Sequence, residues 1–212
     1  MSKEKTPQKK EEKKAAARVR YGMVIDLRRC IGCHSCSVAC KAELESPLGV
    51  YRSWVKIVEK GTYPHVRKFF LPSLCNNCEN PICLTNCPVK ATWKREDGIV
   101  VVDPHRCIGC KYCMASCPYD VRSINPLRRI VQKCEFCRHR VDAGIEPACV
   151  ETCLGRARIF GNMLDPKSEI SQMLATLPTQ VIKPDLGTYP QVFYLEADLD
   201  AMNPMKGWKG DE

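Results

Sequence analysis

Sixteen cysteines among 212 residues are the side chains in this sequence best suited to chemistry. They fall into four groups of four, and four thiolates are the ligand set of a tetrahedral zinc site or of a [4Fe–4S] cubane. Two tight groups have the spacing C-x2-C-x2-C-x3-C, and these are Cys30, Cys33, Cys36 and Cys40, then Cys107, Cys110, Cys113 and Cys117. Two looser groups have the spacings C-x2-C-x4-C-x3-C and C-x2-C-x11-C-x3-C, and these are Cys75, Cys78, Cys83 and Cys87, then Cys134, Cys137, Cys149 and Cys153.

The spacing of the tight groups distinguishes between these kinds of site. Two-residue gaps let three thiolates from one loop reach three corners of a cubane, and Gly32 and Gly109 keep the backbone close. The looser groups alone leave a four-cysteine zinc site open. A disulfide framework belongs to secreted domains, and MSKEKTPQKKEEKKAAAR contains no apolar stretch typical of a signal peptide. We therefore expect four [4Fe–4S] clusters, with iron bound through all sixteen cysteines.

The sequence flanking the tight groups repeats after 77 residues. Seven positions recur, and they are Val24, Asp26, Arg29, Cys30, Ile31, Gly32 and Cys33, matched by Val101, Asp103, Arg106, Cys107, Ile108, Gly109 and Cys110. Matching flanks are harder to obtain by chance than cysteine spacing alone. We interpret the chain as a tandem duplication of a unit with one tight and one looser group.

The central part of the chain resembles a bacterial two-cluster ferredoxin. The resemblance rests on Cys87-Pro88, the hairpin dipeptide Asp97-Gly98 before the β-branched run 99–102, and CIGCKYCMASCP. In such ferredoxins the fourth cysteine of each run ligates the cluster held by the other run. The resemblance therefore implies one cluster on Cys75, Cys78, Cys83 and Cys117 and another on Cys107, Cys110, Cys113 and Cys87.

The duplication extends this crossed pairing to the outer groups, since the fourth group needs a tight partner and only the first remains. Symmetry then predicts clusters on Cys30, Cys33, Cys36 and Cys153, and on Cys134, Cys137, Cys149 and Cys40. Lys41 and Leu154 stand where the inner groups have prolines, so the outer pair departs from the ferredoxin pattern.

The predicted fold class is α+β, with two ferredoxin-like modules built from cluster-binding loops, short β-ribbons and short helices. We expect a disordered basic tail over 1–20, an outer module over 21–74 with 125–180, an inner module over 75–124 and an extension over 181–212. A strand and turn are predicted over 53–64, a helix over 168–177 and a strand over 191–195.

The charge pattern argues against nucleic-acid binding. The formal net charge is +9, and residues 1–20 contribute eight Lys and Arg against three Glu. Each oxidised cubane with four thiolates adds about −2, so the folded body is predicted to be acidic. No stretch approaches the roughly 18 apolar residues that a membrane span needs, so we expect no direct span.

No catalytic site is predicted. The sequence contains no P-loop, dinucleotide-binding fingerprint or nucleophile elbow, and its four histidines are scattered. We therefore expect a chain that is not an enzyme on its own.

Four stretches resemble the four-cluster subunits of complex iron–sulfur molybdoenzymes, and they are YGMVIDLRRCIGCHSCSVACK, LCNNCENPIC, VDAGIEPACVETC and IFGNMLDPKSEIS. Within that family they are most similar to the subunits of tetrathionate, polysulfide, thiosulfate, dimethyl sulfoxide and arsenate reductases. The resemblance implies electron transfer between a polytopic quinone-handling membrane anchor and a molybdenum or tungsten bis-pterin catalytic subunit. It also implies a peripheral position on the outer, periplasmic face of the membrane after co-export, with the cytoplasmic face as the alternative.

Other functions remain compatible with the residues. They are a free soluble polyferredoxin, the electron relay of a hydrogenase, formate dehydrogenase or quinone reductase complex, and a zinc-organised interaction protein.

Overall fold

The computed structural model describes residues 19–197, so most of the predicted tail and the end of the predicted extension lie outside the described residues. Within this range the chain forms ten strands and six short helices. The strands are β1 Tyr21–Asp26, β2 Ser53–Thr62, β3 His65–Leu74, β4 Thr92–Lys94, β5 Val100–Val102, β6 Arg122–Ile124, β7 Val131–Lys133, β8 Arg158–Asn162, β9 Thr179–Gln180 and β10 Val192–Leu195. The helices are α1 Ser35–Glu43, α2 Ile82–Thr85, α3 Tyr112–Ala115, α4 Arg138–Asp142, α5 Ala148–Glu151 and α6 Glu169–Thr176, with a 3-10 turn at Pro184–Leu186.

A four-stranded sheet joins the two ends of the described chain. Its order is β8-β1-β10-β9, with β1 parallel to β10 and antiparallel to β8. An extension was predicted over 181–212, but β10 from that segment lies beside β1 within the sheet. The predicted strand over 191–195 is thereby confirmed.

Alternate residues of β1 face two different cores, as the two-residue period of a strand requires. Met23 and Ile25 pack in the main core, whereas Val24 packs against Ile159 and Ile170 on the opposite face. Ile170 belongs to α6, which the sequence predicted over 168–177. Ser168 caps this helix, because its hydroxyl accepts a hydrogen bond from the Ser171 amide at 3.3 Å.

Three antiparallel hairpins complete the strands. The longest joins β2 to β3, and its base enters the main core through Val55, Leu71 and Leu74. The short hairpins β4–β5 and β6–β7 lie in the central part of the chain. The predicted ribbon is confirmed, with Gly98 in its turn at a φ of 89°.

The described chain contains no helix with the length and apolar character needed to cross a membrane.

Candidate iron–sulfur sites

The structure gathers the sixteen cysteines into four quartets, each with three cysteines of one group and one of another. We call them site 1 (Cys30, Cys33, Cys36, Cys153), site 2 (Cys75, Cys78, Cys83, Cys117), site 3 (Cys107, Cys110, Cys113, Cys87) and site 4 (Cys134, Cys137, Cys149, Cys40). None of these thiols, all within the described range, forms a disulfide. These are the groupings that crossed pairing predicts.

Sites 1, 2 and 3 each surround a cavity. Their empty volumes are about 350, 360 and 310 Å³, counting the part open to solvent. Among the described residues that line these cavities there is no carboxylate, the ligand that hard metal ions prefer. The donor set and the enclosed space fit a thiolate-ligated cubane.

Site 4 lies where α1 meets α5, and all four of its cysteines are buried. Burial raises the pKa of the Cys40 thiol to about 12, with a further contribution from the nearby Cys149 and Cys137. Burial also raises the pKa of Cys134, which lies near Cys40 and Cys149. Buried thiolates this close together repel one another, so a cationic metal centre would stabilise the deprotonated form.

Local backbone geometry is the same at the two tight groups. Gly32 and Gly109 have φ angles of 68° and 67°, and each is followed two residues later by a left-handed residue that starts a helix, His34 or Lys111. A Cβ on Gly109 would lie 2.3 Å from the Arg129 carbonyl oxygen. Glycine is therefore required here by conformation and by space.

The fourth cysteines of the two looser groups are also held alike. The Cys87 sulfur accepts a hydrogen bond from the Ala91 amide at 3.1 Å, and the Cys153 sulfur accepts one from the Ala157 amide at 3.2 Å. The carbonyls of these alanines accept hydrogen bonds from the amides of Asp103 and Asp26, respectively, both at 2.8 Å. Each of these looser-group cysteines is thereby fixed beside a tight group.

Exposure differs between the sites. Cys33 of site 1 and Cys110 of site 3 are exposed, whereas site 4 is fully buried and site 2 contains no exposed cysteine. Sites 1 and 3 therefore reach the surface, site 4 is enclosed, and site 2 has one buried and three half-buried cysteines.

Site 4 lies beside both site 1 and site 2. Burial raises the pKa of the Cys149 thiol of site 4, and the nearby Cys36 of site 1 acts in the same direction. Burial likewise raises the pKa of Cys134 of site 4, with a smaller contribution from Cys75 of site 2. Site 4 is therefore the neighbour of both.

Site 3 adjoins site 2 through a shared side chain. Arg122 donates a hydrogen bond to the Cys83 sulfur of site 2 and lies close to the Cys113 thiol of site 3. The spatial order of the quartets is therefore site 1, site 4, site 2, site 3.

Several residues at the sites were not predicted from the sequence. Arg122, Lys133 and Arg158 are buried cations beside the cysteines, with exposures of 4, 1 and 3 %. Arg122 and Arg158 each stand five residues after a fourth cysteine, a recurrence that could have identified them. Thr188 lines the site 2 cavity and contacts the Tyr119 hydroxyl, so the C-terminal segment also covers that site.

Within residues 19–197, no three His, Cys, Asp or Glu side chains converge on one ion position. The four thiols of a cubane each bind a different iron, so they surround the cluster without meeting at one point.

Comparison with known proteins supports the binding of [4Fe–4S] clusters. A family model described as a 4Fe-4S dicluster domain matches residues 66–163, and one described as a 4Fe-4S binding domain matches residues 21–42. The chain is 49 % identical over 207 residues to a subunit of the tetrathionate reductase of Salmonella typhimurium, covering 96 % of this chain and 83 % of the relative.

Two further relatives extend the comparison. One polypeptide of the polysulfide reductase of Wolinella succinogenes is 43 % identical, over 82 % of this chain and 93 % of its own length. The arsenate respiratory reductase iron–sulfur subunit of a Shewanella species is 34 % identical, over 84 % of this chain and 97 % of its own length. The family resemblance predicted from the sequence is confirmed: this protein binds [4Fe–4S] clusters and belongs to the family of iron–sulfur electron-transfer subunits of such reductases.

Proposed function

We propose that this chain is a non-catalytic subunit that carries electrons through four [4Fe–4S] clusters between a quinone-handling membrane anchor and a molybdenum or tungsten bis-pterin subunit. The complex would be a respiratory oxidoreductase acting on sulfur compounds. The observation that carries the proposal is the series of four quartets, in which the two end sites, 1 and 3, each hold an exposed cysteine. When bound, each cluster supplies reversible one-electron chemistry.

The proposal assigns the four thiols of each site as ligands of one cluster. The chain's own part is to hold those thiols, to exclude water from sites 2 and 4, and to set the distance between neighbours. The cavity linings and the shared hydrogen bonds to Cys87 and Cys153 support the crossed assignment.

Replacing Cys117 with Ser tests the crossed assignment. Cys117 follows the tight run of site 3 in sequence but lines the site 2 cavity. We expect magnetic spectroscopy to show an altered site 2 cluster and an unaltered site 3 cluster. A change confined to site 3 would show the assignment to be wrong.

The two ends of the series carry exposed apolar side chains suited to protein contact. Near site 1 these include Ile31 and Leu154, 60 and 74 % exposed, and near site 3 they include Ile108 and Tyr112, 66 and 65 % exposed. Exposed apolar patches commonly mark interfaces. By the family resemblance, the site 1 end would contact the pterin subunit and the site 3 end the membrane anchor.

Matched surface variants test this placement. Ile31→Glu should weaken co-purification of the catalytic subunit, and Ile108→Glu that of the anchor, each leaving the other contact intact. Ile145→Glu is the control, because Ile145 is also half exposed but lies in the turn before α5. Loss of both partners in either variant would contradict the proposed arrangement.

Purification under anaerobic conditions tests the function itself. About sixteen irons per chain are expected from four cubanes, with a stable association with a large pterin-containing chain. Recovery of a four-cluster chain that binds no such partner would favour the soluble polyferredoxin, and one zinc per four cysteines would favour the zinc-organised protein.

The proposal retains the tandem duplication and the two-module organisation, supported by the recurrent geometry at Asp26 and Asp103. It also retains a position on the outer face of the membrane after co-export with a partner. Fractionation of cells with a tagged chain tests that position, and a tag on the cytoplasmic face would contradict it.

A further inference from the structure

Three buried cations lie at the three junctions between successive sites. Arg158 lies between sites 1 and 4, Lys133 between sites 4 and 2, and Arg122 between sites 2 and 3. We infer that these residues set the reduction potentials of the relay, each raising the potential of the two clusters between which it lies. The inference rests on the proposed function, since it requires four clusters ligated as assigned.

Arg158 contacts thiols of both neighbouring sites. One terminal nitrogen lies 3.6 Å from the Cys149 sulfur of site 4, and the other lies 3.4 Å from the Cys36 sulfur of site 1. The second nitrogen also donates to the Ser53 hydroxyl at 3.0 Å, which fixes the orientation of the guanidinium. Burial opposes its charge, but the nearby Cys149 and Cys36 outweigh that effect and raise the pKa of Arg158.

Arg122 makes the equivalent contacts in the other half. Its guanidinium donates to the Cys83 sulfur of site 2 at 2.8 Å and lies close to the Cys113 thiol of site 3. It also donates to the Thr92 hydroxyl at 3.4 Å. Burial is again the largest effect on the pKa of Arg122, and the thiols of Cys83 and its neighbours reverse it.

Lys133 occupies the middle junction. Its ammonium contacts the Cys134 carbonyl of site 4 at 2.9 Å, the Asn77 side-chain oxygen at 3.3 Å and the Val100 carbonyl. Asn77 lines the site 2 cavity, where burial raises the pKa of Cys83 and the charge of Lys133 opposes that rise. This cation therefore acts on sites 4 and 2.

The electrostatic reason is direct. A cubane with four thiolates carries about −2 when oxidised and about −3 when reduced, so each reduction adds one electron and breaks no bond. Neighbouring clusters in a low-dielectric interior repel one another, and a fixed positive charge between two of them stabilises the reduced form of both. Hydrogen bonds from nitrogen to sulfur act in the same direction. The cations therefore keep four crowded anions reducible.

The test is a redox titration of the complete, anaerobically prepared complex, followed by electron paramagnetic resonance, for Arg158→Met, Lys133→Met and Arg122→Met. We expect each variant to lower the reduced-to-oxidised ratio of two clusters at least tenfold at fixed potential, which is about 59 mV for one electron. Arg158→Met and Arg122→Met should shift disjoint pairs of midpoints. Lys133→Met should shift one midpoint from each pair.

Arg156→Met is the matched control, because Arg156 is exposed and only two residues from Arg158. Its midpoints should match those of the parent protein, since solvent screens the charge that is lost. The inference would be overturned if Arg158→Met, with all four clusters present, changed the reduced-to-oxidised ratio of its two clusters less than threefold. A Lys133→Met variant that shifts both midpoints of one pair would also overturn it.

Conservative variants cover the case in which a Met variant fails to assemble. Arg158→Lys keeps the charge and Arg158→Gln removes it while keeping a donor, so the midpoints should fall only in the second. Equal midpoints in these two variants would overturn the inference and leave Arg158 a structural role. Fewer than four clusters in the parent protein would overturn the proposed function itself, which separates the two failures.

Discussion

Sites 2 and 3 take all eight of their cysteines from residues 75–117, whereas sites 1 and 4 take theirs from 30–40 and 134–153. Both halves use the same turns and the same amide-to-sulfur bonds. The first pair is therefore closed by local chain, with two short hairpins beside it. The second pair needs the four-stranded sheet, in which β1 lies beside β8 and β10. The same turns around the cysteines are thus held by segments close in sequence at sites 2 and 3, and by segments far apart in sequence at sites 1 and 4.

Burial differs within the outer half. Every cysteine of site 4 is buried, whereas Cys33 of site 1 is exposed, and at site 3 of the inner half only Cys113 is buried. The half assembled from distant segments has the deeper site because two segments enclose it. We therefore expect the outer half to be the more sensitive to loss of long-range packing.

The largest expected effect separates the halves by breaking the sheet. Val24 is fully buried against Ile159 and Ile170, so Val24→Asp leaves an unpaired charge at a cost of about 3–5 kcal/mol. The iron content after anaerobic preparation should then fall from about sixteen to about eight irons per chain, because the clusters of sites 1 and 4 are lost. Leu164→Asp is the control, since Leu164 is 54 % exposed. Equal loss of all four clusters would show that sites 2 and 3 also depend on the four-stranded sheet.

The second prediction compares equivalent glycines. A Cβ at Gly109 would meet a backbone carbonyl, whereas at Gly32 it would meet the Phe70 ring, in each case at 2.3 Å. Both Ala variants suffer the positive φ, at about 1–2 kcal/mol, but the ring can move and the carbonyl cannot. Thermal unfolding should therefore show that Gly109→Ala destabilises the protein by about 1–2 kcal/mol more than Gly32→Ala does. Adding Phe70→Leu should rescue only Gly32→Ala, and rescue of both would contradict this account.

The third prediction compares Asp26 with Asp103, the matching residue of the inner half. Asp26 is buried and accepts hydrogen bonds from Arg28 at 2.9 and 2.8 Å, which hold the pKa of its carboxyl below the usual 3.8. Because Arg28 is half exposed, the pair contributes only about 1 kcal/mol. The carboxylate of Asp103 accepts a hydrogen bond from the backbone amide of His105 at 2.9 Å.

The pH dependence has a definite sign. Because the folded pKa of Asp26 is lowered, its contribution is complete above 3.8 and is lost as pH falls through the folded value. Asp26→Asn should therefore lower the free energy of unfolding at neutral pH more than Asp103→Asn does. The Asp26→Asn variant should also lose less stability than the parent protein as the pH falls. Urea unfolding at several pH values measures this, and equal acid sensitivity in the parent and Asp26→Asn would contradict it.

The smallest effect concerns a contact between the halves. Arg95 next to β4 forms a bidentate pair with Asp142 of α4, at 2.9 and 2.5 Å. Asp142 is half exposed, so a double-mutant cycle with Arg95→Gln and Asp142→Asn should give a coupling below about 1 kcal/mol that weakens in salt. A coupling above that value would make this pair a significant link between the halves.

Several elements were predictable because their signals are local. The hairpin turn at Asp97-Gly98, the helix after Ser168 and the strand β10 each follow from residues within a short window. The partners of those elements were not predictable in the same way. Nothing near β10 in sequence indicates that it pairs in parallel with β1, because that register is set by side chains over 160 residues away.

The amino-acid sequence alone is enough to predict iron–sulfur cluster binding. Sixteen cysteines in two repeated spacings indicate cubane ligation because thiolate number and loop length are properties of the chain alone. The repeat also indicated which groups should combine.

The environment of the sites depends on the folded chain. The fold encloses site 4, covers site 2 with the segment around Thr188, and buries Arg122, Lys133 and Arg158 between neighbouring quartets. In sequence Lys133 looks like the other Lys and Arg residues, and only the shared spacing from a fourth cysteine distinguishes Arg122 and Arg158, since charge is local but desolvation is not. Burial depends on what distant segments bring to the same place, so it emerges only when the chain is folded.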